Sequence, residues 1–231
     1  MPDPTDPMSS PGGNPSGGDL FSGPNGTYTY PTGPGYDENA ADLVEMRVKP
    51  LTTATAFRIT LNTLENPELV ATAIAIGGSA GVTHPFPFGA NVSAPAEYFL
   101  TVHGTSATLT DAATGSPVSG PEPTVSVNLE RRQITVTVPH ADWNPGTSTV
   151  RLAAGVGLWD ASTGSYLLPK AVASATSPGG AGEDPSPPAF FDVAFRWNSQ
   201  EPIPGTPEGE TEAKPAYWRE RLQAESLREG N

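Results

Sequence analysis

Gly18–Pro50 reads GDLFSGPNGTYTYPTGPGYDENAADLVEMRVKP, and in it a Pro/Gly-rich leader gives way to regularly alternating chain. Its run LVEMRVK sets Val44, Met46 and Val48 against Glu45, Arg47 and Lys49, the period-two pattern of a strand with one buried face. Just upstream, TYTYPT (Thr27–Thr32) is a short extended segment that Pro31 ends and suits to a sheet edge. Downstream, ATAFRITLN repeats the alternation with Phe57, Ile59 and Leu61 inward and Arg58 and Thr60 outward.

Working outward, the same rhythm recurs. VATAIAIGG opposes Val70, Ile74 and Ile76 to Ala71, Ala73 and Ala75; both faces are apolar, which predicts a strand buried on both sides. EYFLTVHG and SATLTDA read as two strands. PTVSVNLE and RQITVTVPH read as a hairpin whose inward set is Val125, Val127, Leu129, Ile134, Val136 and Val138. TVRLAAGVGLWD, SYLLPK and AFFDVAFRW complete the set, the last with Phe191, Val193, Phe195 and Trp197 on one side. The 77–95 stretch, GGSAGVTHPFPFGANVSAP, reads as a long loop, and SATSPGGAGEDPSPP as linker-like. About ten strands with turn signals between them predict an all-β fold, a sandwich of two antiparallel sheets of jelly-roll or Ig-like type. The chain of 231 residues has room for one such domain plus tails. The expected divisions are a flexible leader (1–18), the sandwich (19–198), a Pro-rich linker (199–215) and a short C-terminal helix (216–231).

Charge and composition narrow the function classes. A formal net charge of -13 argues against nucleic acid and against anionic membrane surfaces, both of which need clustered Lys and Arg. No apolar run approaches the roughly 20 residues of a membrane span. With no Cys there is no disulfide framework and no thiolate chemistry. Met1 leads into PDPTDPMSSPGG without a basic or apolar signal region; such a leader is typical of the residues just after a signal cleavage site, so the expected location is secreted or cell-surface.

Several residues could carry chemistry. Gly77-Gly-Ser79-Ala-Gly81 matches G-x-S-x-G, which would make Ser79 the nucleophile of a serine hydrolase with His84, His103 or His140 as partner. The elbow needs a helix after the turn, and Pro85 and Pro87 oppose one. Glu45, Glu97 and Asp160 lie on or beside strands and could pair for glycoside cleavage, though nothing in the pattern distinguishes them from solvated acids. Met46 on an inward face reads as core. Asp19, Asn25, Asp37, Glu38 and Asp42 fall in one Gly-rich stretch that can wrap a hard cation, so calcium is the metal expected there. Sugar binding needs an aromatic face near polar groups. Trp143, Trp159, Tyr36 and Tyr98 lie near turns or strand ends, and Trp143, beside the Asn144-Pro145-Gly146 turn, is expected to be partly exposed. Asp111-Ala-Ala-Thr-Gly-Ser and Asp160-Ala-Ser-Thr-Gly-Ser echo each other and read as hairpin turns.

GPNGTYTYPTGPGYDENAADLVEMRVKP, followed by an alternating strand and LNTLENPEL, resembles the C-terminal domain of glucodextranase-type proteins. The likeness is strongest over Asp19–Leu64, with LWD-x-x-TG-x-Y-L at 158–167 in support. It implies a β-sandwich related to DOMON and family-nine carbohydrate-binding modules, exported, non-catalytic, and binding a glycan or cell-wall polymer. It also implies a structural calcium, for which Asp19 and Asp42 stand where ligands are expected, although Leu20 and Phe21 depart from the acids usual after Asp19. The alternative is a structural accessory domain that packs on a neighbouring catalytic domain.

Overall fold

The computed structural model describes residues 28–33, 35–36, 41–78 and 82–195. The leader, the Pro-rich linker and the C-terminal helix expected from sequence lie outside these residues, as do Asp19, Asn25, Asp37, Glu38, Ser79 and Trp197.

Two antiparallel sheets face each other. The first contains β1 (Leu43–Pro50), β2 (Ala54–Leu61), β9 (Gln133–Pro139) and β8 (Thr124–Asn128), in that order. The second runs β11 (Ser165–Tyr166), β10 (Leu152–Asp160), β3 (Val70–Ile76), β6 (Tyr98–His103) and β7 (Ser106–Asp111), with β12 (Phe190–Phe195) also paired to β10. The two-sheet sandwich read from the sequence is therefore the fold. Phe57, Ile59, Leu61, Ile134, Val136 and Val138 from the first sheet meet Ile74, Ile76, Leu100, Val156 and Leu158 from the second, all buried in one core. Pro67–Leu69, the helical turn of the described residues, links the sheets; the Asn66 side chain caps it by accepting from the Glu68 amide at 3.0 Å.

Every residue of β3 is buried. Its isoleucines face the first sheet, while Ala71, Ala73 and Ala75 enter a second apolar cluster with Phe86, Phe99, Tyr166 and Phe190. The stretch expected to be a long loop supplies much of that cover: β4 (His84–Pro85) and β5 (Ser93–Ala94) pair as a small hairpin over the alanine face. Phe86 stands edge-on to Phe190 with ring centroids 5.1 Å apart. The glycines of β10 fit the same requirement, because a Cβ on Gly155 would run into the Phe190 ring.

Four details differ from the alternation. β1 is an edge strand with a register skip between Leu43 and Glu45, so Val44 is 46% exposed and only Met46 of the expected inward trio is half-buried. Leu129 is exposed because it belongs to the β8–β9 turn rather than the strand. Phe190 and Phe191 lie on opposite faces, as strand neighbours do, and a bulge where β12 meets Val156 and Gly157 then breaks the alternation, so Phe191 joins the central core while Val193 packs on the outer cluster. The linker-like SATSPGG segment is anchored: Thr29 and Gly179 exchange backbone hydrogen bonds of 3.1 and 2.9 Å. That bridge seats Tyr28 and Tyr30 on either side of Phe191, at 5.5 and 4.7 Å.

The β12 bulge also turns Asp192 toward the other sheet. One carboxylate oxygen accepts from the Leu43 amide at 2.8 Å and the other from the Val193 amide at 2.7 Å. A buried carboxylate bonded this way clips the start of β1 to the edge of the second sheet. The two echoed turns form as expected: Asp111 accepts from the Thr114 amide (2.8 Å) and Asp160 from Ser162 (2.9 Å), with Gly115 and Gly164 at φ 69° and 65°.

Replacing Gly155 by Ala forces a methyl group against a fully buried ring. Overpacking of this kind is expected to lower unfolding free energy by about 1–3 kcal/mol in urea melts, and an unchanged midpoint would contradict the close approach described here.

Candidate functional site

The sheets diverge beyond the Asp192 clip. Along β1, Met46 and Val48 face Leu152 of β10 and Ala194 of β12 across an open cleft of about 910 Å³. Trp143 and the turn at 144–150, Arg151, Gly77, Gly78 and Glu97 complete its lining.

Each polar group here has a structural reason for its place. The β3 strand ends in Gly77 and Gly78, both at positive φ (74° and 90°). The Gly77 amide donates to the Arg151 carbonyl at 2.9 Å, and the Glu97 amide to the Ile76 carbonyl at 2.8 Å. Lacking a Cβ, Gly77 lets the Glu97 carboxyl group fold over the strand end; a Cβ there would sit 2.9 Å from the carboxyl carbon. On the opposite rim the Asn144 side chain accepts from the Gly146 amide at 2.9 Å, and the Ser148 amide donates to the Pro145 carbonyl at 3.1 Å. This turn leaves Asn144 and Ser148 exposed above Trp143. The cleft is thus lined by a largely buried indole, apolar walls, a carboxylate, a guanidinium, an amide and a hydroxyl.

The four aromatics singled out from sequence fall at two ends of the sandwich. Trp143 lines the cleft, but it is only 9% exposed, because its ring packs on Phe57 at 5.8 Å. Tyr98 starts β6 at the same end of the sheet, half-buried, opposite Ile76. Trp159 belongs to the far end of β10 and is 7% exposed; His103 stacks on it at 4.5 Å and Phe88 and Tyr166 stand edge-on, so its faces are covered. Tyr36 is half-buried near Asp160, and burial, then the Asp160 charge, pushes its phenol above the ordinary range. Glu97 was legible only as one acid beside a strand. Arg151, Asn144 and Ser148 were missed, although the Asn-Pro-Gly turn next to Trp143 was the signal that could have found them.

The other candidates fall at separate places or outside the described residues. Ser79 lies outside the described residues; from Val82 the described chain runs into β4, an extended segment, where a nucleophile elbow calls for a helix. The three histidines are committed elsewhere: His84 in β4, His103 against Trp159 and Glu68, and His140 against the Thr55 hydroxyl at 3.2 Å. Glu45 lies on the outward face of the first sheet, 2.6 Å from Arg47, and Asp160 caps its turn, which holds its carboxyl below the usual range. Among the described residues no three His, Asp or Glu side chains cluster as a metal site. Asp42 is half-buried just before β1, its carbonyl accepting from the Asn62 amide at 2.9 Å; the other expected calcium ligands lie outside the described residues. Among the described residues no helix is long and apolar enough to cross a membrane.

Comparison with known families matches residues 15–177 to the C-terminal binding module, SLH-like, of glucodextranase, a span of more than half of the chain. The chain belongs to that family. The match carries the resemblance seen over Asp19–Leu64 through both sheets as far as the loop that meets Thr29. No curated protein matches the chain. Within the module, β12 lies past the matched span yet supplies Asp192 and Ala194 to the clip and the cleft.

Trp143 carries weight in the fold as well as in the cleft. Trp143→Ala is expected to destabilise the module by about 3–5 kcal/mol in denaturant unfolding; a loss below about 1 kcal/mol would mean that the ring is not packed on Phe57.

Proposed function

We propose that this module is a non-catalytic carbohydrate-binding accessory domain that takes a glycan segment in the cleft above Trp143. The observation that carries this reading is the composition of the cleft in a chain belonging to a binding-module family. The apolar walls of Met46, Val48 and Leu152, with Trp143 beside them, suit the C–H surface of a sugar ring, and Glu97, Arg151, Asn144 and Ser148 suit its hydroxyl groups. The cleft is open at its rim, so it accepts a stretch of polymer rather than requiring a chain end. The domain works outside the cell, on a surface or cell-wall glycan, as part of an exported protein. A calcium ion held by Asp19 and Asp42 stabilises the loop before β1; this rests on the resemblance over Asp19–Leu64 and on the half-buried position of Asp42.

Glycan-array screening followed by titration calorimetry tests the site. Ser148→Trp puts a bulky ring at the exposed rim of the cleft, and it is expected to weaken glycan binding by about tenfold or more, about 1.4 kcal/mol, with an unchanged melting temperature. Wild-type protein that retains no glycan, or a variant that binds as well as wild type, would overturn this reading. Calcium is expected to raise the melting temperature of wild-type protein and to leave Asp42→Asn unmoved, with a chelator reversing the shift; equal responses would remove calcium from the account.

A further inference from the structure

We propose that the outward face of the first sheet is a second binding surface, for a carboxylate-bearing polysaccharide. The chain as a whole is acidic, but its charges are not evenly spread. Of the seven Lys and Arg among the described residues, five (Arg47, Lys49, Arg58, Arg131 and Arg132) belong to β1, β2 and the β8–β9 turn, where the carboxylates are Glu45 and Glu130. The remaining described residues carry Arg151 and Lys170 against eleven carboxylates. One sheet is therefore net positive on a domain that is otherwise strongly negative.

The register makes this a surface rather than a scatter. Arg47 lies directly opposite Arg58, and Arg58 opposite Thr135 of β9; one step along, Lys49, Ala56 and Thr137 form the next row. All of these side chains point away from Phe57, Ile59 and Val136, which face the core. The face is uncovered: the Arg47 side chain is 64% exposed. Placing two guanidinium groups opposite each other on adjacent strands is unfavourable unless an anion offsets them. Glu45 lies 2.6 Å from Arg47 and 3.8 Å from Arg58. The pair lies on the outward face of the sheet. A carboxylate ligand fits it, because guanidinium forks bind carboxylates in bidentate fashion, while the neighbouring Thr135, Thr137 and Gln133 offer hydroxyl and amide partners for sugar hydroxyls. A polymer with a carboxylate on successive sugars meets Arg47, Arg58 and Lys49 together, and the acidic remainder of the domain sets its orientation on the sheet.

The test uses the full 231-residue chain and polygalacturonate as the probe, with a neutral glucan and double-stranded DNA as comparisons. Wild-type protein is expected to bind polygalacturonate at low salt, more weakly as salt rises, and to prefer it over DNA. Arg47→Ser/Lys49→Ser, both exposed positions, is expected to weaken that binding by roughly tenfold while keeping the wild-type circular dichroism and melting temperature. Ser148→Trp is expected to leave it unchanged, which separates this surface from the cleft. No binding by wild type, equal binding by the double variant, equal affinity for DNA, or loss in Ser148→Trp would each overturn the proposal.

Discussion

The constraint on which the rest depends is that β3 is buried on both faces. A strand in the middle of a two-layer sandwich normally has one face to the opposite sheet and one to water. Here Ala71, Ala73 and Ala75 cannot face water without exposing a continuous apolar stripe, so a third layer must cover them. Small side chains fix how close that layer comes. The 84–94 hairpin, Tyr166 and Phe190 settle directly on the sheet, and Gly155 and Gly157 extend the shallow surface onto β10. Fully burying a ring such as Phe190 is worth about 1.5–3 kcal/mol, which is enough to hold an otherwise irregular cover in place.

The cleft is a consequence of the same arrangement. Phe191 is committed to the central core and Val193, two residues on, to the outer layer, so β12 must bulge between them. The bulge points Asp192 at the Leu43 amide and fastens β1 there. Beyond that point the two sheets part along Met46 and Val48. The cleft at the seam and the charged outward face of the first sheet use different parts of one structure. The core holds both in place, and Trp143 belongs to the core and to the cleft alike.

Much of the fold was legible. The alternation in β2, β3 and β9 placed Phe57, Ile74 and Val136 on their true faces, and the Asp-x-x-Thr-Gly-Ser echoes marked turns that form as read. Less of the site was legible. Trp143 stood out beside a turn, but its neighbours in the cleft are polar residues with no periodic signature: Arg151 and Glu97 are far apart in sequence and meet only because β3 ends beside both. Trp159 was read as near a strand end, which it is, but the stacking of His103 over it comes from a strand more than fifty residues earlier.

The sequence by itself determined the main strands, the inward faces of β2, β3 and β9, the echoed turns and the family resemblance, because each of these is written in residues within a few positions of one another. The tertiary structure decided which strands would be edges, where the bulges would fall, that a Gly/Pro-rich loop would become a covering layer, and that the sheets would part beside Trp143. Those outcomes depend on the fit of side chains brought together from distant parts of the chain, and such fit is a property of packing that no local pattern records.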